Sequence, residues 1–219
     1  MNDSRGCANQ EDPMSFAEQS LRNFSEELSS REPIPGGGGA SALVAALSIS
    51  LGAMVGSLTA GKKKYASVEP QMQEWMKEAC LIREELLQLI DQDGEAFQPL
   101  SEAYRIPKDD PGRGIILETA LRNAAVSPVR ILQISCRVAE LLKAFAENGS
   151  VLAVSDAATG AAFCKAAARG AWINILANTR LMKDRSYVLD LEEEMQRILE
   201  ECEAEADRAY ETAMERLSK

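Results

Sequence analysis

A stretch of twenty-one residues without a charged side chain, Ala40 to Ala60, constrains the fold of this chain more than any other feature. It follows four consecutive glycines, Gly36 to Gly39, and is closed by three lysines, Lys62 to Lys64. A helix that is apolar on all sides is either surrounded by other helices or crosses a membrane. This segment holds five hydroxyl side chains and much alanine, so it is only moderately hydrophobic. We therefore expect a buried central helix and no membrane association.

The remaining chain carries apolar residues at helical spacing, and no run alternates with period two for long enough to predict a strand. The pattern predicts an all-α, single-domain bundle of about six helices spanning residues 15–219, with residues 1–14 as a disordered tail. The predicted helices cover residues 15–29, 40–59, 68–102, 115–147, 155–181 and 187–219. Ser67 is expected to cap the third helix, with Pro70 in its first turn. Long helices with thin apolar stripes are typical of subunits that bury a face in a dimer.

Composition excludes several classes of function. The 219 residues include no histidine, which removes His-dependent triads and His-ligated metal sites. The net charge of −10 argues against nucleic-acid binding. The five cysteines form no CxxC pair and their number is odd, which favours reduced thiols. The N-terminus has no apolar signal core, so we expect a cytoplasmic protein. Four of the cysteines, Cys80, Cys136, Cys164 and Cys202, fall within predicted helices and are expected in the core.

The glycine run has two interpretations. It lacks the Lys-Ser/Thr ending of a P-loop, and no strand precedes it. Free N–H groups at the start of a helix nevertheless suit an anion or a polar ligand. The alternative is a flexible lead-in to the helix.

Four motifs resemble a known family when they are taken in order: PIPGGGGASALVAAL, GKKKY, DQDGEAF and AVSDAATGAAFCKAAARGAWINILAN. Together they resemble the cyclodeaminase/cyclohydrolase family over roughly residues 15–215. The resemblance implies an all-helical homodimer acting on tetrahydrofolate that carries a one-carbon unit, with no metal or redox cofactor. Gly39 and Gly94 depart from the serine and alanine that are common in the family at these positions.

The resemblance and the residue pattern together indicate three candidate catalytic residues. Asp93 lies on the apolar stripe of the third helix, where a carboxylate is costly unless it is paired or used as an acid or base. Its neighbours Asp91 and Glu95 are expected to be solvated. Asp156 is either an ordinary first-turn acid of the fifth helix or a site residue. Lys63 is a candidate acid.

Further residues are expected to bind the substrate. They are Pro35, Gly36, Gly37, Gly38, Lys62, Lys64, Tyr65, Asn174 and Asn178. The lysines suit the glutamyl carboxylates of a folate tail, or are simply a solvated cluster at a helix end. Eighteen residues separate Asp156 from Asn174, about 27 Å along a straight helix, so within one subunit the two cannot meet at one atom.

The sequence thus predicts formiminotetrahydrofolate cyclodeaminase, which forms 5,10-methenyltetrahydrofolate and ammonia. The first alternative is methenyltetrahydrofolate cyclohydrolase, which forms 10-formyltetrahydrofolate. The second alternative is a non-catalytic helical dimer that binds folate or a partner protein.

Overall fold

The computed structural model describes residues 15–219 and consists of helices joined by short turns, with no strand in this part of the chain. The predicted all-α bundle is confirmed, whereas the predicted tail, residues 1–14, lies outside the described residues. The six α-helices are α1 (Leu21–Leu28), α2 (Gly37–Ser57), α3 (Glu69–Arg105), α4 (Arg113–Asn148), α5 (Val154–Thr179) and α6 (Arg185–Leu217). Short 3₁₀ turns cover Phe16–Glu18, Lys63–Tyr65 and Val151–Ala153.

Helix α4 packs against all four of the other long helices, and α2 packs against α3, α4 and α5. Helices α2 and α5 run antiparallel. The Ser48 hydroxyl donates to the carbonyl of Gly160 (2.8 Å), and nearer the start of α2 the Gly37 position lies beside Asn174. The end of α2 therefore lies near the start of α5, and the start of α2 lies near the end of α5.

Helix α2 begins three residues earlier than predicted, at Gly37, so most of the glycine run is helical rather than a flexible loop. Among the described residues only Gly61 has a positive φ (75°), in the turn after α2. The glycines at the start of α2 thus serve close packing rather than an unusual backbone conformation.

Glycines inside α2 and α5 make room for particular neighbours. A Cβ at Gly52 would lie 2.9 Å from the Phe145 ring, and a Cβ at Gly56 would lie 2.7 Å from Met76. A Cβ at Gly160 would lie 2.9 Å from the carbonyl oxygen of Ser48. The closest approach to a neighbouring helix backbone is therefore at Gly160, while the GxxxG of α2 accommodates side chains.

Helix α2 is buried towards α3, α4 and α5, but one strip stays exposed in the single chain. The strip consists of the exposed Leu47, Met54 and Leu58 with the half-buried Val44 and Leu51, and it continues onto α5 at Thr159, Phe163, Ala166, Ile173 and Ala177. We call these two strips together the α2/α5 face. Both helices are long and apolar enough to cross a membrane, yet about half of each (56% and 50%) is buried inside the fold.

Three local predictions were wrong. Val68 rather than Ser67 is the N-cap of α3, without a side-chain bond, although Pro70 does lie in the first turn. Cys80 is exposed, because it lies on the outer side of α3, whereas Cys164 and Cys202 are buried as expected. Asp91 is not merely solvated, since it accepts hydrogen bonds from Ser15 and from the backbone N–H of Phe16.

A candidate active site at the start of α2

A cavity of about 240 Å³ lies where the start of α2, the middle of α3 and the end of α5 meet. It is lined by Pro33, Ile34, Gly36, Gly37, Gly38, Asp93, Phe97, Ala124, Pro128, Asn174, Ala177 and Asn178. The structure therefore brings together Asp93, three of the predicted glycines and both predicted asparagines. Pro35 is buried next to Gly39 rather than in the lining.

Among residues 15–219, Asp93 is the one ionisable side chain that lines this cavity. Its Oδ2 accepts a hydrogen bond of 3.0 Å from the N–H of Gly39, one of the otherwise unpaired amides of the first turn of α2. Burial raises the pKa of the Asp93 carboxyl above its ordinary value, and the bond from Gly39 only partly offsets this. A carboxyl of this kind can hold and release a proton closer to neutral pH than an exposed aspartate can.

The absence of side chains at Gly37 and Gly38 allows Asn174 and Asp93 to contact the start of α2. A Cβ at Gly38 would lie 2.2 Å from Oδ1 of Asp93, and a Cβ at Gly37 would lie 3.1 Å from Nδ2 of Asn174. At Gly39 the nearest atoms, from Ile90, are 3.5 Å away, which is an ordinary contact. Gly37 and Gly38 thus leave space for the polar side chains, whereas Gly39 has room for a Cβ atom.

Asn174 and Asn178 occupy successive turns of α5 and present acceptors to the cavity. Nδ2 of Asn174 donates to the carbonyl of Gly170 (2.8 Å), and Nδ2 of Asn178 donates to the carbonyls of Asn174 and Ala124. Within residues 15–219 no group donates to their amide oxygens. Two amide oxygens and one carboxyl suit a flat, nitrogen-rich ring that carries N–H donors.

The lysines and Tyr65 lie at the opposite end of α2. Lys62 Nζ is 3.4 Å from the hydroxyl of Ser150, and Lys64 Nζ stands 5.5 Å from the centre of the Tyr65 ring. Lys63 is exposed. Since α2 has 21 residues, about 30 Å separates this lysine turn from the cavity within one chain.

Arg216 adds a positive charge at this end, where it lies near Tyr65. Burial alone would raise the pKa of the Tyr65 hydroxyl, but hydrogen bonds from Val151 and Ser150, with Lys64 and Arg216 nearby, lower it below its ordinary value. Arg216 also donates to the carbonyls of Ala146 and Gly149 at the end of α4. Sequence reasoning missed Ser150 and Arg216, because nothing in their local sequence links them to Tyr65.

Asp156 lies in the first turn of α5, half-buried and outside the cavity. Asp156 and Asn174 belong to the same continuous helix, so they remain apart within one chain as expected. Phe97, one helical turn after Asp93, is a lining residue that the apolar stripe of α3 could have indicated.

The fold and the site define a class of protein. Its members are all-helical bundles in which a pocket lined by carboxyl and amide groups lies at a glycine-rich helix start. The model of the formiminotransferase-cyclodeaminase family matches residues 20–211. The chain is 31% identical to a methenyltetrahydrofolate cyclohydrolase of Methylorubrum extorquens over 204 residues, 91% of this chain and 98% of that protein. It is 34% identical to a formimidoyltransferase-cyclodeaminase of Dictyostelium discoideum, covering 90% of this chain but 36% of that protein.

A crystal structure of formiminotetrahydrofolate cyclodeaminase from Thermotoga maritima has the same fold, with a TM-score of 0.79 and 30% identity. The alignment covers 92% of this chain and 96% of that one. The chain belongs to the formiminotransferase-cyclodeaminase family. Within this family it is similar over nearly its whole length to the cyclohydrolase and to the solved cyclodeaminase. This confirms the family that the four sequence motifs indicated.

Proposed function

We propose that this protein is a formiminotetrahydrofolate cyclodeaminase, with Asp93 as its proton-transfer group. The observation that carries the proposal is the half-buried carboxyl of Asp93, which has a raised pKa and contacts the start of α2 beside two asparagine amides. Family membership and the cyclodeaminase structure with the same fold support the substrate class. The proposed reaction uses proton transfer and charge stabilisation, with no metal or redox step.

In the proposed reaction, Asp93 carries one proton from N10 of the substrate to its exocyclic nitrogen. N10 of the folate attacks the carbon of the protonated formimino group on N5, which gives a tetrahedral carbon bonded to three nitrogens. The Asp93 carboxylate takes the proton from N10 and gives it to the exocyclic nitrogen. The bond from carbon to that nitrogen then breaks, ammonia leaves, and the positive charge remains on the 5,10-methenyl bridge. One carboxyl can perform both transfers because its proton returns to the substrate.

The asparagines and the size of the cavity fit this substrate. The amide oxygens of Asn174 and Asn178 accept from the N–H groups of the pterin ring and so fix its orientation beside Asp93. At about 240 Å³ the cavity is smaller than the roughly 300–1,000 Å³ that encloses a drug-sized ligand. It therefore holds the ring system, and the rest of the folate extends beyond it.

Near-ultraviolet absorbance of the methenyl chromophore tests the proposal. With 5-formiminotetrahydrofolate, the purified protein should produce the chromophore faster than an enzyme-free control, with release of ammonia. Asp93→Asn should slow this production by about 10²-fold or more, while Glu95→Gln, an exposed change two residues away, should not. Absence of chromophore with the unaltered protein would refute the proposal.

Methenyltetrahydrofolate cyclohydrolase is the second candidate, and the relative of that name in Methylorubrum extorquens favours it, because the two chains align over nearly their full lengths. In that reaction water adds to the methenyl carbon and Asp93 accepts one proton from it. Asp93 then gives this proton to N5, the bond from carbon to N5 breaks, the remaining hydroxyl proton is released to solvent, and the 10-formyl group is left on N10. Accelerated loss of the chromophore from 5,10-methenyltetrahydrofolate, without production from the formimino substrate, would assign the protein to this activity.

A further inference from the structure

We infer that Pro128 is a positioning residue of the candidate active site. It leaves the carbonyl of Ala124 without its helical donor, and this carbonyl then holds the side-chain amide of Asn178 with its oxygen towards the cavity. This role rests on the proposed function for the identity of the ligand. The contacts that produce it lie within one chain and involve no ligand.

Pro128 interrupts the hydrogen bonds of α4 at the wall of the cavity. It is a buried residue inside α4 and one of the residues that line the cavity. In an uninterrupted helix the N–H of residue 128 would donate to the carbonyl of residue 124. Proline has no N–H, so the carbonyl of Ala124 lacks this donor. The sequence thus places an available acceptor beside the cavity.

The side chain of Asn178 supplies the missing donor. Its Nδ2 lies 3.2 Å from the carbonyl oxygen of Ala124 and 3.0 Å from that of Asn174, one turn earlier on α5. An amide NH₂ group has two hydrogens, so these two bonds use both of them. Ala124 and Asn178 are 54 positions apart in the sequence, and their bond joins α4 to α5 next to the cavity.

The two partners determine which end of the Asn178 amide faces a ligand. Carbonyl oxygens accept hydrogen bonds and do not donate them, so the nitrogen end of the amide must face Ala124 and Asn174. The amide oxygen keeps both of its lone pairs, since no group within residues 15–219 donates to it. Asn178 therefore acts towards a ligand as an acceptor alone, and it selects a ligand group that carries an N–H.

Asn174 shows what the second bond adds. In the described part of the chain its Nδ2 donates to one carbonyl, that of Gly170 (2.8 Å), so one hydrogen remains for another acceptor. A Cβ at Gly37 would lie 3.1 Å from this nitrogen and 3.4 Å from the amide oxygen, so both ends of the amide lie beside the start of α2. Asn174 can therefore donate as well as accept, whereas the carbonyl of Ala124 restricts Asn178 to accepting.

Bending of a helix is the usual effect of an internal proline, and a second proline in the chain separates that effect from the one inferred. Pro99 lies inside α3 and is exposed. The carbonyl that it leaves without a helical donor is that of Glu95, to which no side chain within residues 15–219 donates. Of these two prolines, the one that lines the cavity is the one whose available carbonyl holds a cavity side chain. Pro99→Ala is therefore a matched control.

Urea unfolding tests the link between Pro128 and Asn178 without a ligand. Asn178→Leu is similar in size and leaves the carbonyl of Ala124 unpaired, whereas in Pro128→Ala the restored N–H of residue 128 pairs with that carbonyl. Asn178→Leu should therefore lower the unfolding midpoint by on the order of 0.5 M more in the parent protein than in Pro128→Ala. In Pro99→Ala the decrease should equal that in the parent.

Equal decreases in all three backgrounds would overturn the inference. Pro128→Val restores the same N–H and keeps more of the volume of the proline ring. It repeats the comparison with less disturbance of the packing, and the smaller effect of Asn178→Leu should be seen in this background too.

Calorimetric titration with 5-formyltetrahydrofolate tests the effect on ligand binding. In Pro128→Ala the amide of Asn178 is no longer held by Ala124, so the Kd should rise by about three- to tenfold. In the Asn178→Leu background the same change should raise the Kd by less than about twofold, because Pro128 acts through Asn178. Pro99→Ala should keep the Kd of the parent. Effects of Pro128→Ala that are equally large with and without Asn178 would overturn the inference.

Steady-state kinetics separates positioning from general damage to the fold. In Pro128→Ala the KM for 5-formiminotetrahydrofolate should rise by about three- to tenfold, while kcat changes by less than about twofold, because Asn178 holds the ring rather than the reacting atoms. A fall in kcat at unchanged KM would overturn the inference. A parent protein that neither turns over nor binds these folates would refute the proposed function, and the urea comparison would then still decide whether Pro128 fixes Asn178.

Discussion

At the scale of single residues, Asp93 has a chemical role that can be separated from its structural one. Asparagine at position 93 can still accept the N–H of Gly39, so Asp93→Asn should keep the fold. Turnover should fall by about 10² to 10⁴, the usual contribution of general acid–base catalysis. Steady-state kinetics with Glu95→Gln as the control checks this, and a loss below tenfold would contradict it.

The raised pKa of Asp93 also predicts how stability depends on pH. Because folding favours the protonated form, the folded state of the parent protein loses stability as pH rises through the folded-state pKa, which lies above the ordinary value of 3.8. Asp93→Asn lacks this penalty. The Tm of the variant relative to that of the parent should therefore increase between about pH 4 and about pH 7. Thermal melts across this range measure the difference, and a constant difference would contradict the burial of the charge.

The last two glycines of the run, Gly38 and Gly39, should respond differently to substitution by alanine. In Gly38→Ala the new methyl group would overlap Oδ1 of Asp93, so about 1–3 kcal/mol of stability and most of the activity should be lost. Gly39→Ala meets only ordinary contacts and should be close to neutral. Urea unfolding and turnover of the two variants compare them directly. Equal effects would mean that the close approach of Asp93 is unimportant.

At the scale of elements, Arg216 joins the end of α6 to the end of α4. Its guanidinium donates to the carbonyls of Ala146 and Gly149, two acceptors that would otherwise be unpaired. Arg216→Ala should lower the free energy of unfolding by about 1–3 kcal/mol. The control is Arg197→Ala, whose side chain is 69% exposed and whose ion pair is long (4.0 Å), and it should change stability by less than about 0.5 kcal/mol.

The elements themselves were largely predictable, and their contacts were not. Helical periodicity predicted the long helices to within a few residues, and the apolar stripe shared with Ile90 predicted that Asp93 faces inward. The start of α2 was misplaced because glycine has low helix propensity, which here is outweighed by packing against Asp93 and Asn174. Local sequence does not indicate which distant side chains come into contact in the folded chain. Arg216 and Ser150 were missed for this reason.

At the scale of the whole molecule, the distribution of charge should select among substrates. The chain has a net charge of −10, yet Lys62, Lys63, Lys64 and Arg216 gather near one end of α2. Replacing the three lysines by alanine should raise KM for a polyglutamylated folate by about tenfold and have little effect with a single glutamate. Added salt should reproduce the same trend in the parent protein. A variant equally impaired with both substrates would contradict a role for the lysines in tail binding.

The absence of charge in helix α2 has a consequence for the synthesis of the protein on the ribosome. Helix α2 is complete at Ser57, but α5, which packs against it more extensively than any other helix, ends only at Thr179, about 120 residues later. At about 5–20 residues per second, a ribosome needs on the order of 6–24 seconds to supply that cover. During this interval the nascent chain displays a segment whose composition matches that of a membrane span. Because its hydroxyl groups and alanines make α2 only moderately hydrophobic, we expect the nascent segment to stay out of the membrane during this interval.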